Sequence, residues 1–201
     1  MKILGIKGSP RKRANSTALL EQLFSGAEAQ GAETSLITPW ELDIAPCLAC
    51  DGCFRDGRCT VRDDFQGVYD QILASDALVL ATPVYFGAVS AQVKALIDRC
   101  ESFWAQRYER DAPLPPGPGG SPRQGVLIAT AGQDREIMFV GPHITFDFLM
   151  RSLGGEIYAE LFYGGLDERG AVRDDDAAMK RAFETGRRLA LRLEAKGGET
   201  R

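Results

Sequence analysis

Four of the chain's five cysteines, Cys47, Cys50, Cys53 and Cys59, share one segment with the spacing C-x2-C-x2-C-x5-C, while Cys100 stands apart. Three thiolates at x2 intervals can curl around three corners of an iron-sulfur cubane, and a fourth, five residues on, can close it. The bacterial ferredoxin run differs, with three residues before its last cysteine and a proline after it. Gly52 and Gly57 permit the tight turns such wrapping demands. Other chemistry stays open for the same four residues. Zinc held by four cysteines usually draws on two C-x2-C pairs with a longer span between them. A disulfide needs an oxidising compartment, and a loop of reduced thiols with no cluster is the third reading. His143 is the only histidine, which excludes a His-rich zinc site and leaves a Ser-His-Asp triad a single candidate base.

A second set of residues suits an anion. Gly8-Ser9-Pro10-Arg11-Lys12-Arg13-Ala14-Asn15-Ser16-Thr17 leads from an apolar run into a helical pattern. Backbone N–H groups at a helix start are unpaired and carry partial positive charge. Ser9, Asn15, Ser16 and Thr17 add short donors and Arg11 a full charge, a set that suits a terminal phosphate monoester. The segment lacks the second glycine and Lys-Ser/Thr pair of a Walker loop, and it is not a G-x-G-x-x-G fingerprint. The plainer alternative is a helix capped by Asn15 or Ser16 with solvated arginines.

Two further segments belong with it. Thr82-Pro83-Val84-Tyr85-Phe86-Gly87-Ala88-Val89-Ser90 puts two aromatics on a loop, which is costly unless a flat ligand or a subunit covers them. A loop packed by its own aromatics is the competing reading. Thr130-Ala131-Gly132-Gln133 offers small residues and an amide, a weak signal by itself.

The elements that must position these groups follow from periodicity. Apolar runs at Ile3–Ile6, Thr34–Ile37, Asp76–Ala81, Gly125–Ala129 and about 156–163 read as strands. Helical stripes begin near Ser16 (Leu19, Leu20, Leu23, Phe24) and near Asp64 (Phe65, Val68, Tyr69, Ile72), and others cover about 90–104, 140–153 and 175–195. Five strands alternating with helices predict a parallel α/β sheet covered on both faces. Ligands in such sheets bind beyond the carboxyl ends of the strands, where all three segments fall. The 201 residues, 44% hydrophobic and 26% charged, suffice for one domain over 1–201. It carries a cysteine-rich loop at 44–62 and a Pro/Gly surface loop at 111–123. With 24 basic and 28 acidic residues the net charge is −4, which gives no reason to expect nucleic acid. No run of about 18 apolar residues predicts a membrane span, and no signal peptide is read, so a cytoplasmic location is expected.

Gly8-Ser9-Pro10-Arg11 with Asn15-Ser16, then Ala74–Gly87, then Ser90 to Asp98-Arg99, closely resemble the NADPH-dependent FMN reductase family. The match covers roughly the first half of the chain. The cysteine spacing looks like the compact motif of the iron-sulfur flavoproteins, a branch of the same group. The resemblance implies a flavodoxin-like three-layer sandwich with strand order 2-1-3-4-5. It implies FMN with its phosphate among Ser9, Arg11, Asn15, Ser16 and Thr17, and its isoalloxazine bordered by Pro83, Val84, Tyr85, Phe86 and Gly87, with Thr130 and Gly132 nearby. NAD(P)H would be the co-substrate and a flavin, quinone or similar small molecule the acceptor. Homodimers or homotetramers are implied. A [4Fe-4S] cluster on Cys47, Cys50, Cys53 and Cys59 would instead exchange electrons between FMN and a ferredoxin-like protein donor. A third possibility is a ligand-binding or redox-sensing module whose thiols respond to oxidation.

Other polar and aromatic residues read as structural. Asp63 and Asp64 suit a helix N-terminus, His143 a partly buried hydrogen bond, and Cys100 the core. Trp104 and Tyr108 could border a partner subunit's flavin or make an ordinary hydrophobic contact. The charged face from Asp174 to Arg192 reads as solvated helix.

Overall fold

The computed structural model describes residues 1–198. The apolar runs become β1 (Lys2–Lys7), β2 (Glu33–Ile37), β3 (Ala77–Pro83), β4 (Gln124–Thr130) and β5 (Glu156–Tyr163), hydrogen-bonded in the order β2-β1-β3-β4-β5. All four pairings are parallel, so the arrangement is the flavodoxin-like one. The helices are α1 (Asn15–Glu28), α2 (Cys53–Asp56), α3 (Phe65–Leu73), α4 (Ala91–Arg99), α5 (Glu101–Trp104), α6 (Ile137–Ser152) and α7 (Asp176–Gly198).

Side chains alternate across the central strands and so fill two cores. Ala77, Val79 and Ala81 of β3 meet α1 and α7 on one face. Leu78 and Leu80 meet α3, α4 and α6 on the other, with Phe65, Leu96, Phe103 and Phe146. Small residues let α1 and α7 nearly touch. A Cβ on Gly26 would stand 2.0 Å from the Phe183 carbonyl, and one on Gly186 would stand 1.9 Å from that of Leu23.

Two helices depart from their predicted extents. The helix expected over 90–104 is divided at Cys100, whose N–H bonds to Ile97 O (2.9 Å) in a tightened turn, and a wide π-turn follows at Ala105–Glu109. Helix α6 begins at Ile137, before the expected 140, and accommodates Pro142 within it. The Pro/Gly loop at 111–123 is pinned down by one buried arginine. Arg123 donates to the carbonyls of Leu73 (2.7 Å), Pro115 (2.8 Å) and Ile72 (3.2 Å).

Strand order reverses between β1 and β3, which opens a crevice beyond their carboxyl ends. Polar bonds strap the two tips together. The Gly8 N–H donates to Ala81 O (2.6 Å), the Ser90 hydroxyl donates to Gly8 O (2.7 Å), and Thr82 Oγ1 accepts from the Ser90 N–H (3.2 Å).

Candidate functional site

A cavity of about 260 Å³ occupies this crevice. Ser9, Arg11, Asn15 and Ser16 line it from the β1–α1 loop, Pro83, Val84 and Tyr85 from the tip of β3, and Thr130 and Gly132 from the tip of β4. Three distant segments of sequence thus meet on one space. The start of α1 turns unpaired N–H groups toward this region. Ala14 caps α1 without a side-chain hydrogen bond, and no acidic residue lies in the first turn, so the leading N–H groups have no side-chain acceptor. The Ser16 and Thr17 hydroxyls are buried with no protein partner, Ser16 within the cavity lining and Thr17 next to it in sequence but outside that lining. A buried hydroxyl without a partner costs about 1–3 kcal/mol, and two in succession at a helix N-terminus mark a place built for an anion. The residues present therefore fit a phosphate group.

The structure gives Asn15 another task. Its amide donates to Glu168 O (2.8 Å) and Leu166 O (3.2 Å), and its Oδ1 accepts from the Val172 N–H (3.2 Å). That side chain is committed to the loop after β5 and holds Leu166, Asp167 and Arg169 against the cavity. Sequence reasoning missed these three. The available signal was topological, because every strand of a parallel sheet ends at the same edge, β5 included. Asp167 lies close over Gly132, where a Cβ would stand 2.0 Å from Asp167 Oδ1.

Phe86 and Gly87 do not line the cavity; they shape the turn beside it. Tyr85 and Ala88 exchange two backbone hydrogen bonds of 3.0 Å, and both intervening residues are left-handed, Phe86 at φ +51° and Gly87 at φ +73°. This is type I′ turn geometry, which suits glycine and strains a phenylalanine. The Phe86 ring is fully exposed, and the turn abuts α6, since a Cβ on Gly141 would stand 2.0 Å from Gly87 O.

The second site is the cysteine loop. Cys47, Cys50, Cys53 and Cys59 all line one small cavity together with Arg99. Among the described residues no three or more His, Cys, Asp or Glu side chains stand at metal-holding spacing. The backbone between the thiols is nevertheless tightly curled. Ala49 (φ +48°) and Asp51 (φ +55°) are left-handed without being glycine, and Gly52 follows in the right-handed region. A left-handed residue followed by a right-handed one turns successive N–H groups into one concavity, a device found at iron-sulfur sites. The Gly52 N–H, then the Thr60 hydroxyl 3.7 Å away, hold the Cys50 thiol below its ordinary pKa. Burial pushes Cys53 up to about 11, with the charges of Cys59, Glu101 and Cys47 adding to the shift. Donor chemistry and backbone therefore fit an iron-sulfur cluster.

One arginine at the end of α4 governs this loop. Arg99 is buried, and its Nη groups make a fork on Asp63, 2.6 Å to Oδ2 and 3.0 Å to Oδ1. The same side chain donates to Ala45 O (2.8 Å), Val61 O (3.3 Å) and the sulfur of Cys59 (3.2 Å). Both ends of the 44–62 loop are thus tied to one guanidinium. Burial alone would raise the Asp63 pKa. Bonds from Arg99 and from the Ala45 and Phe65 N–H groups outweigh it and hold the carboxyl below its usual value. Asp63 does serve the start of α3, as its sequence position suggested, but its partner Arg99 was not foreseen. Helix α4 joins the two sites, with Ser90 before its first residue and Arg99 as its last.

The remaining residues settle into structural places. Cys100 is core, its thiol donating to Leu96 O (3.5 Å). His143, expected to be partly buried, is exposed, with its Nδ1 2.7 Å from Glu160 Oε1. Trp104 packs on Phe54 (6.2 Å between ring centres) and Tyr108 (5.7 Å), beside the cysteine loop and away from the β1–β3 crevice.

Residues 1–133 match the NADPH-dependent FMN reductase family. The chain is 30% identical over 193 residues to an iron-sulfur flavoprotein of Methanocaldococcus jannaschii, covering 94% of this chain and 96% of that one. It is also 30% identical to one from Archaeoglobus fulgidus, covering 98% and 99%. Among solved structures, an NAD(P)H:quinone oxidoreductase from Methanothermobacter marburgensis superposes with a TM-score of 0.66 over 94% of each chain, at 18% identity. That likeness shows the fold. No helix among the described residues is long and apolar enough to cross a membrane. A family match over residues 1–133, together with full-length relatives, places this chain in the NADPH-dependent FMN reductase family of oxidoreductases.

Proposed function

We propose that the protein holds FMN at the tips of β1, β3 and β4 and transfers electrons from NAD(P)H to a small acceptor such as a flavin or quinone. The observation that carries this is the uncapped start of α1, where two buried hydroxyls await acceptor oxygens beside a cavity at the strand reversal. Ser9, Arg11, Ser16 and Thr17 would hold the phosphate. Asn15 would act indirectly, by fixing the loop that brings Asp167 and Arg169 to the cavity. Pro83, Val84 and Tyr85 would border the ring system from one strand tip, and Thr130 and Gly132 from the next. Phe86 and Gly87 would set the turn that closes its edge. Bound FMN supplies the redox chemistry, taking a hydride and releasing electrons. No protein acid or base is required, which suits a chain whose one histidine pairs with Glu160.

The second part of the proposal is a [4Fe-4S] cluster held by Cys47, Cys50, Cys53 and Cys59, which would let a ferredoxin-like protein replace the nicotinamide as donor. The shared cavity and the curled backbone between the thiols support it. Association into a dimer or tetramer is supported by a stripe of exposed apolar residues on α6, Ile137, Val140, Ile144 and Phe148, and by the exposed Phe86. Five free cysteines fit a reducing compartment such as the cytoplasm.

The test is a titration of apo-protein with FMN and with riboflavin, followed by flavin fluorescence. FMN binding at least tenfold tighter is expected from one charge-assisted hydrogen bond at the phosphate. Equal affinity for the two would overturn the phosphate assignment. Anaerobic bleaching of the flavin by NADPH and an iron and sulfide assay then decide between the nicotinamide and cluster routes.

A further inference from the structure

We infer that Arg99 is a positioning residue for the cluster, donating an N–H···S hydrogen bond to Cys59 that raises the cluster's reduction potential while its other donors fix the loop. This rests on the cluster half of the proposed function. The geometry separates the two tasks by atom. Nη1 and Nη2 are spent on Asp63, Ala45 O and Val61 O, which hold the loop's two ends. Nε alone faces a thiol, 3.2 Å from Cys59 Sγ. The guanidinium is buried against the Phe65 ring, 4.8 Å from its centre, and cannot swing away to solvent.

Reduction adds one negative charge to a cluster already surrounded by thiolates. A fixed cation that donates to a ligand sulfur favours the reduced form, and hydrogen bonds to sulfur are a recognised lever on such potentials. Lysine would keep the charge but lose the fork, because an ammonium cannot serve a carboxylate, two carbonyls and a sulfur in one plane.

The experiment is an anaerobic redox titration of the reconstituted protein, comparing wild type, Arg99→Lys and Arg99→Gln, with bound FMN as the check on the domain and protease resistance of 44–62 as the check on the loop. In Arg99→Gln the ratio of reduced to oxidised cluster at a fixed potential is expected to fall about tenfold, equivalent to about 59 mV for one electron. Arg99→Lys should fall between it and wild type. Loaded variants whose potential matches wild type would overturn the inference and leave Arg99 only a clamp. A readout on wild type guards against variants that fail to load. With 15N-labelled arginine, pulsed EPR of the reduced cluster should show a 15N coupling, and its absence would also overturn the inference. A wild-type protein that takes up no iron and sulfide overturns the cluster reading itself, a failure distinct from an unchanged potential.

Discussion

The two sites lie at opposite ends of α4 and are built on different principles. The crevice site stands on the tips of three buried strands, and its anion-binding features are consequences of the fold, since a parallel sheet delivers a helix N-terminus at each β–α junction. The cysteine site stands on the stretch of 27 residues between β2 and α3, where the regular structure is the 3-10 turn Pro39–Glu41 and the short α2. Its shape depends on side chains reaching in from outside, chiefly the buried Arg99 from α4, with Gln66 of α3 donating to Cys59 O (3.0 Å) and Val61 O (2.9 Å). Rigidity in the first region is distributed over the sheet; in the second it rests on a few side chains, with Arg99 the one that reaches both ends of the loop. Damage to a distributed site should be local and graded, whereas damage to the concentrated one should release a whole loop.

The sharpest way to break the contrast is to remove that side chain. Arg99→Ala leaves Asp63 buried and unpaired, which costs about 3–5 kcal/mol. Thermal unfolding should show a large fall in Tm, and limited proteolysis of the folded fraction should cut within 44–62 while FMN affinity is retained. Protection of that loop equal to wild type would mean that the loop holds itself.

Next in size is the corresponding change at the crevice. Ser16→Ala with Thr17→Val removes two buried hydroxyls that have no protein partner. FMN affinity should fall by about 1.5–3 kcal/mol for each lost hydrogen bond to phosphate. The apo-protein should become slightly more stable, because unsatisfied polar groups leave the interior. Calorimetry on both states separates the two effects. A destabilised apo-protein would show that these hydroxyls serve the fold.

The turn beside the crevice offers a smaller test. Phe86 occupies a left-handed position at φ +51°, so Phe86→Gly should stabilise the free chain by about 1 kcal/mol. A parallel loss of self-association in analytical ultracentrifugation would mark the ring as an interface residue retained at a cost. Unchanged stability would mean the strain is already relieved.

How much of this was legible beforehand follows the same division. Strand and helix identities came through because Ile3–Ile6, Asp76–Ala81 and the Leu19–Phe24 stripe carry strong periodicity. Of the crevice segments the first was marked by its donors, the second left its aromatics open to a loop-packing reading, and the third was marked only by its place at a strand tip. The contribution of 166–169 did not, because a Gly-rich polar loop carries no motif and its place depends on Asn15 reaching 151 and 153 residues along the chain. The cysteine spacing was plain, yet the Arg99–Asp63 fork joins residues 36 apart through tertiary structure that no local pattern encodes. The division of helix 90–104 was equally hidden, since Cys100 looks like any other core residue. Local chemistry was readable; the long-range tethers that aim it were not.

The smallest expected effect lies at the opposite edge of the sheet from the chemistry and serves as the control for both sites. Glu156, at the start of β5, accepts from Gln124 (2.9 Å), Lys196 (3.0 Å) and Arg192 (3.2 Å). These bonds, in that order, depress its pKa from 4.5 to about 2. A carboxyl whose folded pKa lies below its unfolded value binds its proton more weakly when folded, so its stabilisation is full above pH 4.5 and is lost as pH falls toward 2. The side chain is 52% exposed, and solvent screening reduces the worth of such a network to about 0.5 kcal/mol. Glu156→Gln should therefore lower Tm slightly at neutral pH and flatten the acid limb between pH 4.5 and 2, without altering FMN binding or the cysteine loop. A steep acid limb that survives the substitution would point to the other carboxyls held below their usual values, Asp63 beside Arg99 and Glu184 beside Arg187, and its loss in Glu184→Gln would exclude Asp63.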